Sequence, residues 1–143
     1  MTESNELFLI DSNILVYACE KEDSIKKDKA KKLLRECLLG LRQCVISNQN
    51  LAEFGSVTTK KDKLSIDEAK NFASKIAQFE GLKKINYTAE TIPLALDIVQ
   101  EFKMSFWDSL LAATMRENGI FKIYTENVKD FKMPWIKAVN IFA

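Results

Sequence analysis

With no histidine among its 143 residues, this chain must draw any chemistry from carboxylates, hydroxyls, thiols or lysines. A Ser-His-Asp or Cys-His nucleophile, zinc-hydrolase histidine pairs and histidine acid–base catalysis are excluded. Four acids stand out by their surroundings. Asp11 closes the apolar run Leu7-Phe8-Leu9-Ile10 and precedes Ser12-Asn13. Glu53 ends the stretch Ser47-Asn48-Gln49-Asn50-Leu51-Ala52. Asp108 follows Ser105-Phe106-Trp107 at the head of an apolar segment, and Asp130 lies beyond the run Ile120–Tyr124. Clustered carboxylates raise one another's pKa unless a cation neutralises them. Hard oxygen donors with no His or Cys suit Mg²⁺ or Mn²⁺, ions that activate water and stabilise charge on a phosphodiester.

Each acid also has a plain structural role. Asp11 reads equally well as a helix cap. Asp108 fits the third position of a capping box begun by Ser105, where it favours the helix dipole. Glu53 alone is an ordinary solvated helix residue, and Asp130 an ordinary turn acid. They form a site only if the fold gathers them.

The elements needed to gather them are legible in the apolar spacing. Short apolar runs predict strands at Leu7–Ile10, Cys44–Ile46, Lys84–Tyr87, Ile120–Tyr124 and Ala138–Phe142. Helical spacing predicts helices over Ser12–Cys19, about Ser24–Leu39 (ended by Gly40), and from a Ser47 cap to Lys60. Another starts at the Ser65-Ile66-Asp67-Glu68 capping box and stops at Gly81. Two more run over Ala89–Lys103, capped by Thr88, and from Ser105 to Asn118-Gly119. Alternating strands and helices predict a parallel sheet covered on both faces. In such a sheet every strand end and following helix start faces one edge, which is where Asp11, Glu53, Asp108 and either Asp130 or the pair Glu126/Asn127 should meet.

Length and composition fit one domain, residues 1–143, of ordinary globular mixture: 47% apolar, 29% charged and a net charge of +1. Cys19, Cys37 and Cys44 have no CxxC spacing and read as reduced core thiols in a cytoplasm. No apolar run reaches membrane-span length and Met1–Glu6 lacks a positive start, so a cytoplasmic chain without membrane partners is expected. Trp107 and Trp135 are assigned to core packing. The basic stretch Lys26–Arg35 reads as a solvated helix face.

The segments Leu9-Ile10-Asp11-Ser12-Asn13, Ser47 to Glu53, Asp108-Ser109-Leu110-Leu111-Ala112-Ala113 and Thr125-Glu126-Asn127-Val128-Lys129-Asp130-Phe131 resemble the ordered motifs of PIN-domain ribonucleases, in particular the VapC-type toxins of toxin–antitoxin pairs. The resemblance spans Leu9 to Phe131. It implies an α/β/α three-layer sandwich with a central, mostly parallel sheet and a Mg²⁺- or Mn²⁺-dependent endoribonuclease. It places metal-binding roles on Asp11, Glu53 and Asp108, with Ser12 or Asn13 orienting Asp11 and Thr125 holding the site. Asn127 stands where many relatives carry an acid, which leaves Asp130 as the fourth acid and Glu126 as a stand-in. The resemblance further implies a homodimer and an antitoxin partner.

Lys60, Lys61 and Lys63 are candidates for phosphate contact on an RNA substrate. A catalytically weakened PIN-like module that binds RNA or protein is the alternative that Asn127 raises. A phosphoacceptor domain also ends a strand with Asp, but here one acid rather than a pair follows the first strand, and no Lys ends the last.

Overall fold

A computed structural model describes residues 6–60 and 63–143. Its elements run β1 (Phe8–Ile10), α1 (Ser12–Ala18), α2 (Ile25–Leu38), β2 (Cys44–Ser47), α3 (Asn48–Lys60) and α4 (Ile66–Gln78). They continue as β3 (Lys83–Ile85), α5 (Thr91–Phe102), α6 (Phe106–Glu117), β4 (Lys122–Tyr124) and β5 (Lys137–Val139), with a 3₁₀ turn at Val128–Asp130. The strands form one sheet in the order β3-β2-β1-β4-β5, and all four pairings are parallel.

Alternation along the strands divides the core in two. Leu9, Val45, Ile85 and Ile123 point to one face and pack with Ala95 and Ile98 of α5 and Leu110, Leu111 and Met115 of α6. Ile10, Cys44, Ile46 and Tyr124 point to the other, against Ile14 and Leu15 of α1, Leu33 and Leu34 of α2, Phe54 of α3 and Ile76 of α4. Helices on both faces of a parallel sheet make the expected α/β/α sandwich.

Local signals place most boundaries. Ser24, Ser65 and Ser105 each cap a helix by accepting from the N–H three residues on, and Ser65–Glu68 is a reciprocal capping box. Gly40 and Gly119 leave α2 and α6 through positive φ values of 77° and 70°. Thr88 does not cap α5 with its side chain; instead its N–H donates to Thr91 Oγ1, and the helix starts at Thr91 after a turn closed by Thr91 N–H to Thr88 O. The last two strands are shorter than the apolar runs suggest. Tyr124 pairs with Val139 at the end of the β4–β5 ladder, so residues past Val139 have no strand beside them.

Two further expectations are corrected. Cys37 and Cys44 are joined in a disulfide, because the Gly40 turn returns the chain from the end of α2 to the start of β2. Cys19 alone is free, its thiol pushed up to about 12 by burial. Trp107 is 58% exposed rather than in the core, whereas Trp135 packs against the α5–α6 cluster. Among the described residues no helix is long and apolar enough to cross a membrane.

A candidate active site at the sheet switch point

The chain winds from β1 to β3 in one direction, then returns to build β4 and β5 on the other side of β1. The crevice at the carboxyl ends of β1 and β4 is therefore the switch point, where open α/β sheets bind ligands. Asp11 leaves β1 there and caps α1 through Ser12 N–H, 2.8 Å from its Oδ1. Thr125 leaves β4 beside it and donates its hydroxyl to Asp11 Oδ2 at 2.7 Å.

Glu53 arrives from the second turn of α3. Ser12 Oγ lies 3.4 Å from Glu53 Oε1 and 3.5 Å from Asp11 Oδ1, so one hydroxyl stands between two carboxylates. Asp108 arrives from the first turn of α6, with Ser105 Oγ donating to its Oδ2 at 2.9 Å. All three acids line one cleft of about 340 Å³, together with Ser12, Asn13, Gln49, Lys63, Glu126 and Asn127. Strand β1, helix α3 and helix α6 thus contribute one acid each.

The electrostatics record their proximity. Burial raises the pKa of Asp11, and the charge of Asp108 adds to it against the bonds from Thr125 and Ser12. Burial also raises Glu53, followed by repulsion from Asp11 and Asp108, while the side chains of Ser12 and Gln49 pull it back. Asp108 is raised by burial and by the charge of Asp130, against the Ser105 bond. In each of the three, burial and a neighbouring carboxylate both disfavour the charged form, the condition that a cation relieves.

The remaining predicted residues fall around this core. Asn13 donates to Thr125 Oγ1 at 3.4 Å and accepts from Glu126 N–H, while Asn127 N–H donates to Thr125 Oγ1 at 3.0 Å. Asp130 sits exposed on the 3₁₀ turn, outside the cleft lining but near enough to act on Asp108. Glu126 lines the cleft yet is tied up by the Tyr17 hydroxyl at 2.8 Å and by an ion pair with Lys26. Those bonds hold its pKa down in spite of partial burial. Lys63 lines the cleft, Lys60 is exposed at the end of α3, and Lys61 lies outside the described residues.

Asn50 has no role in the sequence reading, although it is fully buried and touches Asp11. Its Oδ1 accepts from Ser47 Oγ at 2.6 Å and its Nδ2 donates to Asp11 Oδ1 at 3.3 Å. The available signal was an amide directly after a buried strand, at a helix position that the apolar pattern assigns to the interior.

The acids supply hard oxygen donors of the kind that hold Mg²⁺ or Mn²⁺. Among the described residues, however, no group of three or more His, Cys, Asp or Glu side chains stands close enough to hold a metal ion as it is. The donor chemistry fits; the ligand set is open.

Comparison with known proteins identifies the fold and the family. Solved structures share the fold at low identity. Mycobacterium tuberculosis VapC20, described as a sarcin-ricin loop cleaving toxin, superposes with a TM-score of 0.68 at 15% identity, covering 90% of this chain and 98% of its own. The Rickettsia felis VapBC2 complex, bound to a promoter DNA fragment, gives 0.70 at 19%, covering 94% and 98%. DNA-bound VapBC from Salmonella typhimurium gives 0.65 at 18%, covering 95% and 98%. Curated proteins yield no sequence match. The PIN domain family model matches residues 8–132, from the first residue of β1 to just past the 3₁₀ turn. With that span taking in every acid of the cleft, the chain belongs to the PIN-domain family and has the fold of the VapC-type toxins.

Proposed function

We propose that this chain is a Mg²⁺- or Mn²⁺-dependent endoribonuclease, the toxin of a toxin–antitoxin pair, hydrolysing RNA phosphodiester bonds. One observation carries the reading: Asp11, Glu53 and Asp108 come from three separate elements to one cleft at the switch point. A bound divalent ion supplies water activation and neutralises charge developing on the phosphodiester. The carboxylates of Asp11, Glu53 and Asp108 provide the oxygen ligands, with Asp130 close by through its effect on Asp108. Ser12, Asn50 and Thr125 hold Asp11 in one orientation by the bonds described above. Lys60, Lys61 and Lys63, at or after the end of α3, provide positive charge for the RNA backbone.

The same reading takes residues 1–143 as one cytoplasmic, homodimeric domain; an antitoxin partner is supported by the likeness to a toxin–antitoxin complex from Klebsiella pneumoniae. The second reading is a PIN-like module that binds RNA or protein without cutting. It is favoured by the open ligand set and by neutral Asn127 in the cleft lining.

Cleavage of a structured RNA pool with Mg²⁺, Mn²⁺ or EDTA decides between them, run beside Asp11→Asn and Asp108→Asn. The nuclease reading expects metal-dependent cutting that both variants lose. RNA binding by a folded wild type that cuts under no metal establishes the binding module.

A further inference from the structure

We infer that Gln49 is the positioning residue that fixes Glu53 relative to Asp108, by tying helix α3 to the first turn of α6. The inference rests on the proposed reading of these acids as a metal site. Gln49 lies four residues before Glu53, so both share one face of α3. Its Nε2 donates at 2.9 Å to the carbonyl of Trp107, the residue immediately before Asp108. The cleft is lined by Gln49, Glu53 and Asp108 together. One short side chain therefore spans the gap between the two helices that carry two of the three acids.

The orientation of the amide is determined. A backbone carbonyl only accepts, so the Gln49 group facing Trp107 has to be the NH₂. The carbonyl of Trp107 takes one N–H of that group, and Glu53 lies one turn further along the same face of α3. The opposite end of the amide, Oε1, is buried with no hydrogen-bond partner among the described residues. An unpartnered buried acceptor costs stability, so this glutamine is a poor choice for packing alone. Methionine would fill the same volume without that cost. What methionine lacks is the donor that reaches α6.

The test is a Mn²⁺ titration of the full chain, comparing wild type, Gln49→Met and Asp11→Asn. It is joined by amide hydrogen exchange of the Ser105–Ser109 segment in the metal-free protein. Gln49→Met is expected to bind Mn²⁺ about fivefold more weakly, the worth of one ordinary hydrogen bond. RNA cleavage by it should recover at saturating Mn²⁺, so the KM for the ion rises while kcat holds. Exchange at the start of α6 should quicken. Mn²⁺ affinity equal to wild type overturns the inference while leaving the metal reading intact, since that reading stands on the contrast of wild type with Asp11→Asn. If wild type itself takes up no Mn²⁺, the metal reading falls and exchange alone decides: unchanged protection in Gln49→Met overturns the tie between α3 and α6, and lost protection upholds it.

Discussion

The Thr125 hydroxyl and the Asp11 carboxylate meet at 2.7 Å across the two strands between which the sheet reverses its winding. The contact joins residues far apart in sequence, and both are buried. Ladder geometry sets it: Ile10 pairs with Tyr124, so the next residue on each strand emerges side by side. The sheet register thereby sets the orientation of the Asp11 carboxylate, with no flexible loop intervening.

Replacing Thr125 by valine keeps the shape and removes the donor. A hydrogen bond to a charged, buried group contributes about 1.5–3 kcal/mol. Thr125→Val should lose about that much stability in urea denaturation, whereas Thr125→Ser should stay within about 1 kcal/mol of wild type. Equal stability of the valine and serine variants would mean that the hydroxyl does not bind Asp11.

Asn50 makes a sharper case, because its amide mediates between Ser47 and Asp11 from a fully buried position. Asn50→Ala leaves Asp11 short of one donor and should cost about 2 kcal/mol. Asn50→Asp keeps the shape but sets a second carboxylate against Asp11. At neutral pH it should cost about 3 kcal/mol or more, a deficit that shrinks in acid as the new group takes a proton. An aspartate variant as stable as wild type at pH 7 would show that this side chain does not face Asp11.

What was legible in the sequence was local, and what escaped was decided at long range. Leu7 to Ile10 and Cys44 to Ile46 announced buried strands, and Ser24, Ser65 and Ser105 announced helix starts, because each signal lies within a few residues of the element it begins. Parallel topology then brought Asp11, Glu53 and Asp108 to one edge. The ends of β4 and β5 depend on pairing register, which no single segment encodes. The Cys37–Cys44 disulfide depends on how Gly40 turns the chain. By sequence Glu126 is a stand-in for the fourth acid, but its partners Tyr17 and Lys26 lie 109 and 100 positions away, beyond the reach of spacing arguments.

The raised acids give the metal-free protein a pH dependence of known sign. A carboxylate whose folded pKa is raised holds its proton longer in the folded state. Its stabilising contribution is complete below the unfolded value and disappears as pH rises through the folded one. For Asp11, Glu53 and Asp108 that loss runs upward from ordinary values of 3.8 and 4.5. Glu36, lowered by Arg42, and Glu68, lowered by the Ser65 backbone, act in the opposite sense. The site's share is best isolated as a difference. In EDTA, Glu53→Gln should gain stability over wild type at pH 7.5, by about 1 kcal/mol or less after solvent screening. The gain should vanish near pH 4. A variant less stable than wild type at pH 7.5 would show that the Glu53 charge is already compensated within the protein.

Positive charge near the cleft should appear as salt dependence. Lys63 lines the cleft and Lys60 ends α3, about two turns beyond Glu53. Each phosphate neutralised on a single strand contributes about 0.7 to the slope of log affinity against log salt. If both lysines contact the backbone, Lys60→Ala combined with Lys63→Ala should flatten that slope by about 1.4 and weaken binding across RNA sequences alike. The assay uses Asp11→Asn protein, so that binding is read without cleavage. An unchanged slope would move the phosphate track to another face, and Lys26 would not be its first substitute, because its charge is already committed to Glu126.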